Sequence, residues 1–188
     1  MPWQVEQAGQ LTRAAGLERR VRFIRADYRA LPWDNASADA VYALESSCHA
    51  SGADKADFLA EAARVLKPGG RLVVADGFRT GASMNALVRR CYDTMCRFWR
   101  VDECGVIGSF TAAARRAGFT DIRVEDISWR VAPSMAFVPL VVVRFLWREW
   151  RRHGMTRLRL ENALAPLLGV VVGAARSAFG YYMVSATR

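Results

Sequence analysis

Lysine is nearly absent from this 188-residue chain: of 27 Lys and Arg residues only Lys55 and Lys67 are lysines, and histidine occurs only at His49 and His153. The net charge of +9 is therefore carried by arginine, spread along the chain with no basic tail. That distribution does not make a phosphate-tracking surface, so nucleic acid is not an expected partner. The four cysteines, Cys48, Cys91, Cys96 and Cys104, form no CxxC pair and have no His at zinc-ligand spacing. This excludes a zinc site and predicts reduced thiols in a cytoplasmic protein. The first ten residues lack the basic and then apolar pattern of a signal peptide. Long hydrophobic runs are missing too. Residues 135–143 and 163–175 fall short of the ~20 residues of a spanning helix, and each contains a proline, Pro139 or Pro166. Stable membrane insertion is not expected, while peripheral contact through 135–159 stays open. What remains is a chain that is 52% apolar, long enough for one domain with its own core.

Its pattern alternates between two periods. Residues 4–15 read as a helix ended by Gly16, 21–27 (VRFIRAD) as a short strand, and 31–39 (LPWDNASAD) as a loop. AVYALES (40–46) is apolar on both faces, which predicts a strand of a parallel sheet covered on both sides. Residues 55–67 form an amphipathic helix that Pro68-Gly69-Gly70 should stop, and 71–78 form a third strand ending at Asp76. Helices over 83–99 and 110–119, a strand over 121–128, an aromatic and Arg-dense segment over 129–178 and a closing strand over 179–188 complete the reading. The alternation predicts a doubly wound α/β sheet, whose ligands bind outside the carboxyl ends of the strands. SADAVYALESSCHA (37–50) places Glu45, Ser46, Ser47, Cys48 and His49 at such an end.

The succession VRFIRADYRALPWDNASADAVYALESSCHA, then FLAEAARVLKPGGRLVVAD, resembles the class I S-adenosylmethionine-dependent methyltransferases. It is most similar to the branch holding γ-tocopherol and sterol C-methyltransferases, and the tail GFTDIRVEDISWRVAPS…YYMVSATR is similar as well. The resemblance implies a Rossmann-like core over 1–128 and 179–188, with lid segments over 79–104 and 129–178. It implies S-adenosyl-L-methionine as cofactor and a small, apolar or ring-bearing acceptor methylated at carbon, nitrogen or oxygen. Asp27 would accept from the adenine amino group, the backbone at Tyr28 would meet the ring, and Leu31 and Trp33 would wall the slot. Leu44 and Glu45 match the strand end beside the methionine part, and His49 falls near the transferred methyl group. Tyr92, Phe98 and Trp99 would help cover the acceptor.

Plainer readings stand beside these. Asp27 could cap a turn, His49 could be a structural hydrogen-bonder, Trp33 could be packing, and Cys48 could be a small hydrophobe. Tyr92, Phe98 and Trp99 have the stripe of an ordinary core helix, and the Arg144–Arg159 run suits a solvated face. The family's acidic-Gly-x-Gly-x-Gly loop and its ribose-binding acid are not in this sequence. That predicts a chain lacking the family's first two strands, with weak cofactor binding as given and open strand edges available for dimerisation. A non-catalytic methyltransferase-like subunit is the alternative reading.

Overall fold

The computed structural model describes residues 2–188. A four-stranded sheet flanked by helices organises the chain. The elements are α1 (Pro2–Ala14), β1 (Ala38–Leu44), α2 (Ala56–Val65), β2 (Leu66–Arg79), α3 (Ala86–Trp99), α4 (Ile107–Arg116), β3 (Thr120–Asp126), α5 (Ser128–Met135), α6 (Val138–His153), α7 (Arg157–Ala174) and β4 (Phe179–Thr187).

The sheet order is β1-β2-β4-β3. β1 runs parallel to β2, whereas β4 is antiparallel to both β2 and β3. The closing strand thus inserts between two strands that precede it, pairing from Arg71↔Thr187 to Arg79↔Phe179. Leu59, Leu66, Leu72, Val74, Phe78, Phe110 and Val184 fill the core where α2 and α4 meet the sheet. A second apolar cluster joins α3 to α7 through Tyr92, Met95, Cys96, Cys104 and Val172.

Three expectations are corrected. Residues 21–26 form no strand, and Asp27 makes only an isolated bridge to Ala30. A strand exists through its neighbour's hydrogen bonds, and among the described residues none runs beside this segment. β1 is covered on one face only: Val41 and Ala43 join the core, while Tyr42 and Leu44 stand exposed on the other side. An apolar run cannot by itself report which faces find a neighbour. Pro68-Gly69-Gly70 does not stop the helix: α2 already ends at Val65, β2 begins at Leu66, and the tripeptide lies inside the strand. Gly69 has φ of 79° and its N–H donates to the Arg188 carbonyl at 2.8 Å. A Cβ at Gly70 would lie 2.8 Å from the Lys67 carbonyl oxygen, so only glycine fits this irregular start.

The aromatic, Arg-dense segment forms α5, α6 and α7, with α7 packed on α3 and α6 on α7. The apolar stretch here is longer than the two short runs suggested. Residues Ser128–Arg152, 25 in all, are long and apolar enough to cross a membrane by length and composition. A turn at Ala136 and Phe137 separates α5 from α6 within that stretch.

Candidate active site

β1 ends at Leu44, and the chain turns sharply at Glu45, whose φ of 48° is a conformation few side chains adopt. The Glu45 N–H still donates to the Ala75 carbonyl at 2.9 Å, so the turn starts from a fixed point on β2. A short 3-10 turn, Ser47–His49, follows. Asp76 anchors it: one carboxylate oxygen accepts from the Ser47 hydroxyl at 2.7 Å and the Cys48 N–H at 2.9 Å. The other accepts from the Gly77 N–H at 2.8 Å.

Lys55 holds the same turn from below. It is fully buried at the start of α2, and its ammonium donates to the carbonyls of Ala50 at 2.6 Å, Glu103 at 2.7 Å and Cys48 at 3.3 Å. Burial lowers its pKa. One side chain thereby ties the His49 turn to the segment that follows α3. Sequence reasoning passed over Lys55, although the scarcity of lysine was a signal: a chain that otherwise uses arginine keeps a compact, three-donor ammonium here.

Asp27 sits at the end of the unpaired segment beside an open hollow of about 730 Å³ lined by residues 25–29, His49 and Ser51. Its carboxylate accepts from the Arg29 N–H at 2.9 Å and from the Arg29 guanidinium at 2.7 Å. These bonds lower its pKa to about 2, so it is an anion at any physiological pH. Leu31 and Trp33 follow on the same loop but are not among the residues lining this hollow. Two residues of α2 hold the loop. Glu61 accepts from the Leu31 N–H at 2.6 Å. Arg64 pairs with Glu61 and donates to the carbonyls of Trp33 at 2.7 Å and Leu31 at 3.1 Å. In the sequence this pair was only the polar face of an amphipathic helix.

A second cavity, about 430 Å³, lies beyond the carboxyl ends of β1 and β2, under α3 and α5–α7. Met95, Trp99, Val138 and Phe179 give it apolar walls, and Glu45, His49, Asp76 and Tyr181 supply polar groups. The Tyr181 hydroxyl donates to Glu45 at 3.0 Å, and burial together with that carboxylate raises the Tyr181 pKa. Tyr181 had been read only as part of a strand.

Of the expected acceptor-side residues, Trp99 lines this cavity, while Tyr92 and Phe98 do not. Tyr92 is buried between α3 and α7, its hydroxyl accepting from the Cys104 N–H at 2.7 Å. Phe98 lies against the Arg97 guanidinium, 5.3 Å from its ring centre. The cavity takes Met95, Cys96 and Trp99 from α3, the i, i+1 and i+4 positions of one face, and Phe98 lies off that face. Leu44 stands exposed at the end of β1. His49 belongs to both concavities, and among the described residues no hydrogen bond holds its imidazole.

Cys48 also lines the second cavity, but burial and the nearby Asp76 carboxylate push its thiol up to about 12. It is a poor nucleophile. Alkylation by iodoacetamide at pH 8 should therefore run about 1000-fold slower at Cys48 than at an unperturbed cysteine of pKa 9, as peptide mass mapping would show. Alkylation at the ordinary rate would refute this picture of the turn.

Comparisons with known proteins point to one family. Residues 2–74 match the family model described as a methyltransferase domain. The chain is 32% identical over 131 residues to methyltransferase GfsG of Streptomyces halstedii, covering 70% of this chain and 46% of that one. It is 30% identical over 151 residues to cycloartenol-C-24-methyltransferase 1 of rice, Oryza sativa subsp. japonica, covering 79% of this chain and 43% of that one. The chain thus spans somewhat under half the length of these curated relatives. In fold it is similar to geranyl diphosphate C-methyltransferase from Streptomyces coelicolor A3(2), with a TM-score of 0.70 at 16% identity over 98% of this chain and 60% of that one. Residues 2–74 thus carry a methyltransferase domain, the chain is homologous to S-adenosylmethionine-dependent methyltransferases, and its fold is that of the class I methyltransferases.

Proposed function

We propose that this chain takes part in methyl transfer from S-adenosylmethionine to a small, largely apolar acceptor held in the cavity under α3 and α5–α7. The observation that carries the proposal is the position of His49, which lines both the hollow beside Asp27 and the apolar cavity beside Glu45 and Trp99. Two ligands that react with one another have to meet at such a point.

The residues present fit the adenine end of the cofactor. The Asp27 carboxylate is ionised and half exposed, so it has acceptor capacity left for an exocyclic N–H after its bonds to Arg29. Glu61 and Arg64 fix the loop that follows it. When bound, the cofactor supplies the methyl group as an electrophilic sulfonium. This chain's residues align the acceptor and keep water away: Met95, Trp99, Val138 and Phe179 present apolar surface to it. His49 takes the proton that an oxygen, nitrogen or carbon acceptor loses, a role suited to an imidazole that no hydrogen bond holds among the described residues. Glu45, held by the Tyr181 hydroxyl, places negative charge beside a cation developing on the acceptor. The aromatic and aliphatic walls favour a ring-bearing or isoprenoid acceptor.

Calorimetric titration of S-adenosylmethionine into the chain and into Asp27→Ala tests the cofactor half of this reading. Loss of a hydrogen bond to a charged acceptor should weaken binding by about 10-fold or more. Equal affinities would remove Asp27 from the site. Because Asp27 stays ionised down to about pH 2, the wild-type affinity owed to this contact should not change between neutral pH and pH 5.

A further inference from the structure

We propose that α6 docks this protein on anionic lipid bilayers, lying in the plane of the interface. The helix is amphipathic twice over. Its inner face, with Val142 buried and Phe145 and Leu146 half-buried, packs on α7. A second apolar row, Leu140, Val143, Trp147 and Trp150, points outward at spacings of three, four and three residues. These four side chains are between 56% and 67% exposed, far more than solvent-facing apolar residues of a helix need be. Phe137, just ahead of the helix, is exposed on the same scale.

Arg144, Arg148 and Arg151 form the neighbouring row, all exposed. The Arg151 guanidinium lies over the Trp147 ring at 4.8 Å, joining the two rows. The single acid of α6, Glu149, is turned inward and paired with Arg159 at 3.0 Å. The outward surface is thus tryptophan-rich and cationic with no acidic counterpart, on a chain of net charge +9.

That charge pattern selects the occupant. Two copies meeting through this row would bring arginine rows together with no carboxylate between them, which is repulsive. A bilayer carrying anionic headgroups complements the arginines while its interface accepts tryptophan rings. A spanning arrangement of Ser128–Arg152 is disfavoured because Val142 and its row would have to leave α7, and Arg144 and Arg148 would enter hydrocarbon. Met135 and Val138, at the junction of α5 and α6, line the apolar cavity, so the docked face lies next to the cavity roof.

Co-sedimentation of the whole chain with vesicles of phosphatidylcholine alone, and with about a third phosphatidylserine, decides the matter. Binding should be at least ~10-fold tighter to the anionic vesicles, weaken with salt, and be reversed by alkaline carbonate wash. The paired substitution Trp147→Ser with Trp150→Ser should lower binding ~10-fold or more, and Arg148→Glu with Arg151→Glu should abolish the anionic preference. All four positions are exposed, so circular dichroism melts should be unchanged. Failure of the wild type to bind either vesicle would overturn the proposal, as would binding that survives carbonate. So would sedimentation velocity showing a dimer that the tryptophan variant breaks.

Discussion

Lys55→Met is expected to destabilise the protein by about 3 kcal/mol, the largest single effect available outside the apolar core. Methionine matches the length and stem of lysine, so little volume is lost. What is lost is the donor that reaches three carbonyls, those of Ala50, Glu103 and Cys48. Each carbonyl loses a charged donor, and a group left unsatisfied in this way costs about 1–3 kcal/mol. Relief from burying a charge offsets part of this, which keeps the estimate well below the plain sum. Urea denaturation of wild type and variant gives the number directly. A shift under about 0.5 kcal/mol would mean that the ammonium is solvated in solution and the turn does not depend on it.

A second readout separates stability from placement. The variant frees the Ser47–His49 turn from the Glu103 segment while Asp76 still holds it through Ser47 and Cys48. Hydrogen exchange at His49 and Ala50 should therefore quicken more than exchange in β2.

His49→Ala is expected to reduce methyl transfer by about 100- to 10,000-fold where the acceptor must lose a proton, with cofactor affinity changed less than about 2-fold. The separation is the substance of the prediction. His49 is exposed and its imidazole makes no hydrogen bond among the described residues, so its removal leaves the fold intact. Turnover with methyl-labelled S-adenosylmethionine reports the first quantity and calorimetry the second. Parallel losses in both would make His49 a wall of the cofactor hollow, not a base. An unchanged rate would point to an acceptor that needs no deprotonation, leaving Glu45 and Tyr181 as the polar groups that matter.

The α/β alternation, the strand-end cluster and the amphipathic α2 were legible because each rests on a local signal. Apolar residues in α2 recur on one stripe, and Phe58, Leu59, Ala62 and Val65 are buried as that stripe requires. The turn after β1 is announced by small polar residues directly following an apolar run. Asp27 and His49 were singled out on the same kind of signal, and the structure brings them to one hollow.

Other features depend on partners far away in sequence, and no local signal encodes them. Residues 21–26 have strand-like composition but, among the described residues, no neighbour to pair with, so they form no strand. β4 reads as an ordinary final strand, yet it inserts between β2 and β3 in the antiparallel sense because its pleated face fills the gap beside Leu72 and Val74. Lys55, Glu61, Arg64 and Tyr181 look like routine helix and strand residues until folding carries them to carbonyls, a loop or a carboxylate from 30 to 136 positions away. Period and composition act over a few residues, and they determined the elements and the end of the sheet where chemistry gathers. Hydrogen bonds and cavities join residues that only the packed chain brings together, so tertiary structure decided which side chains hold the site.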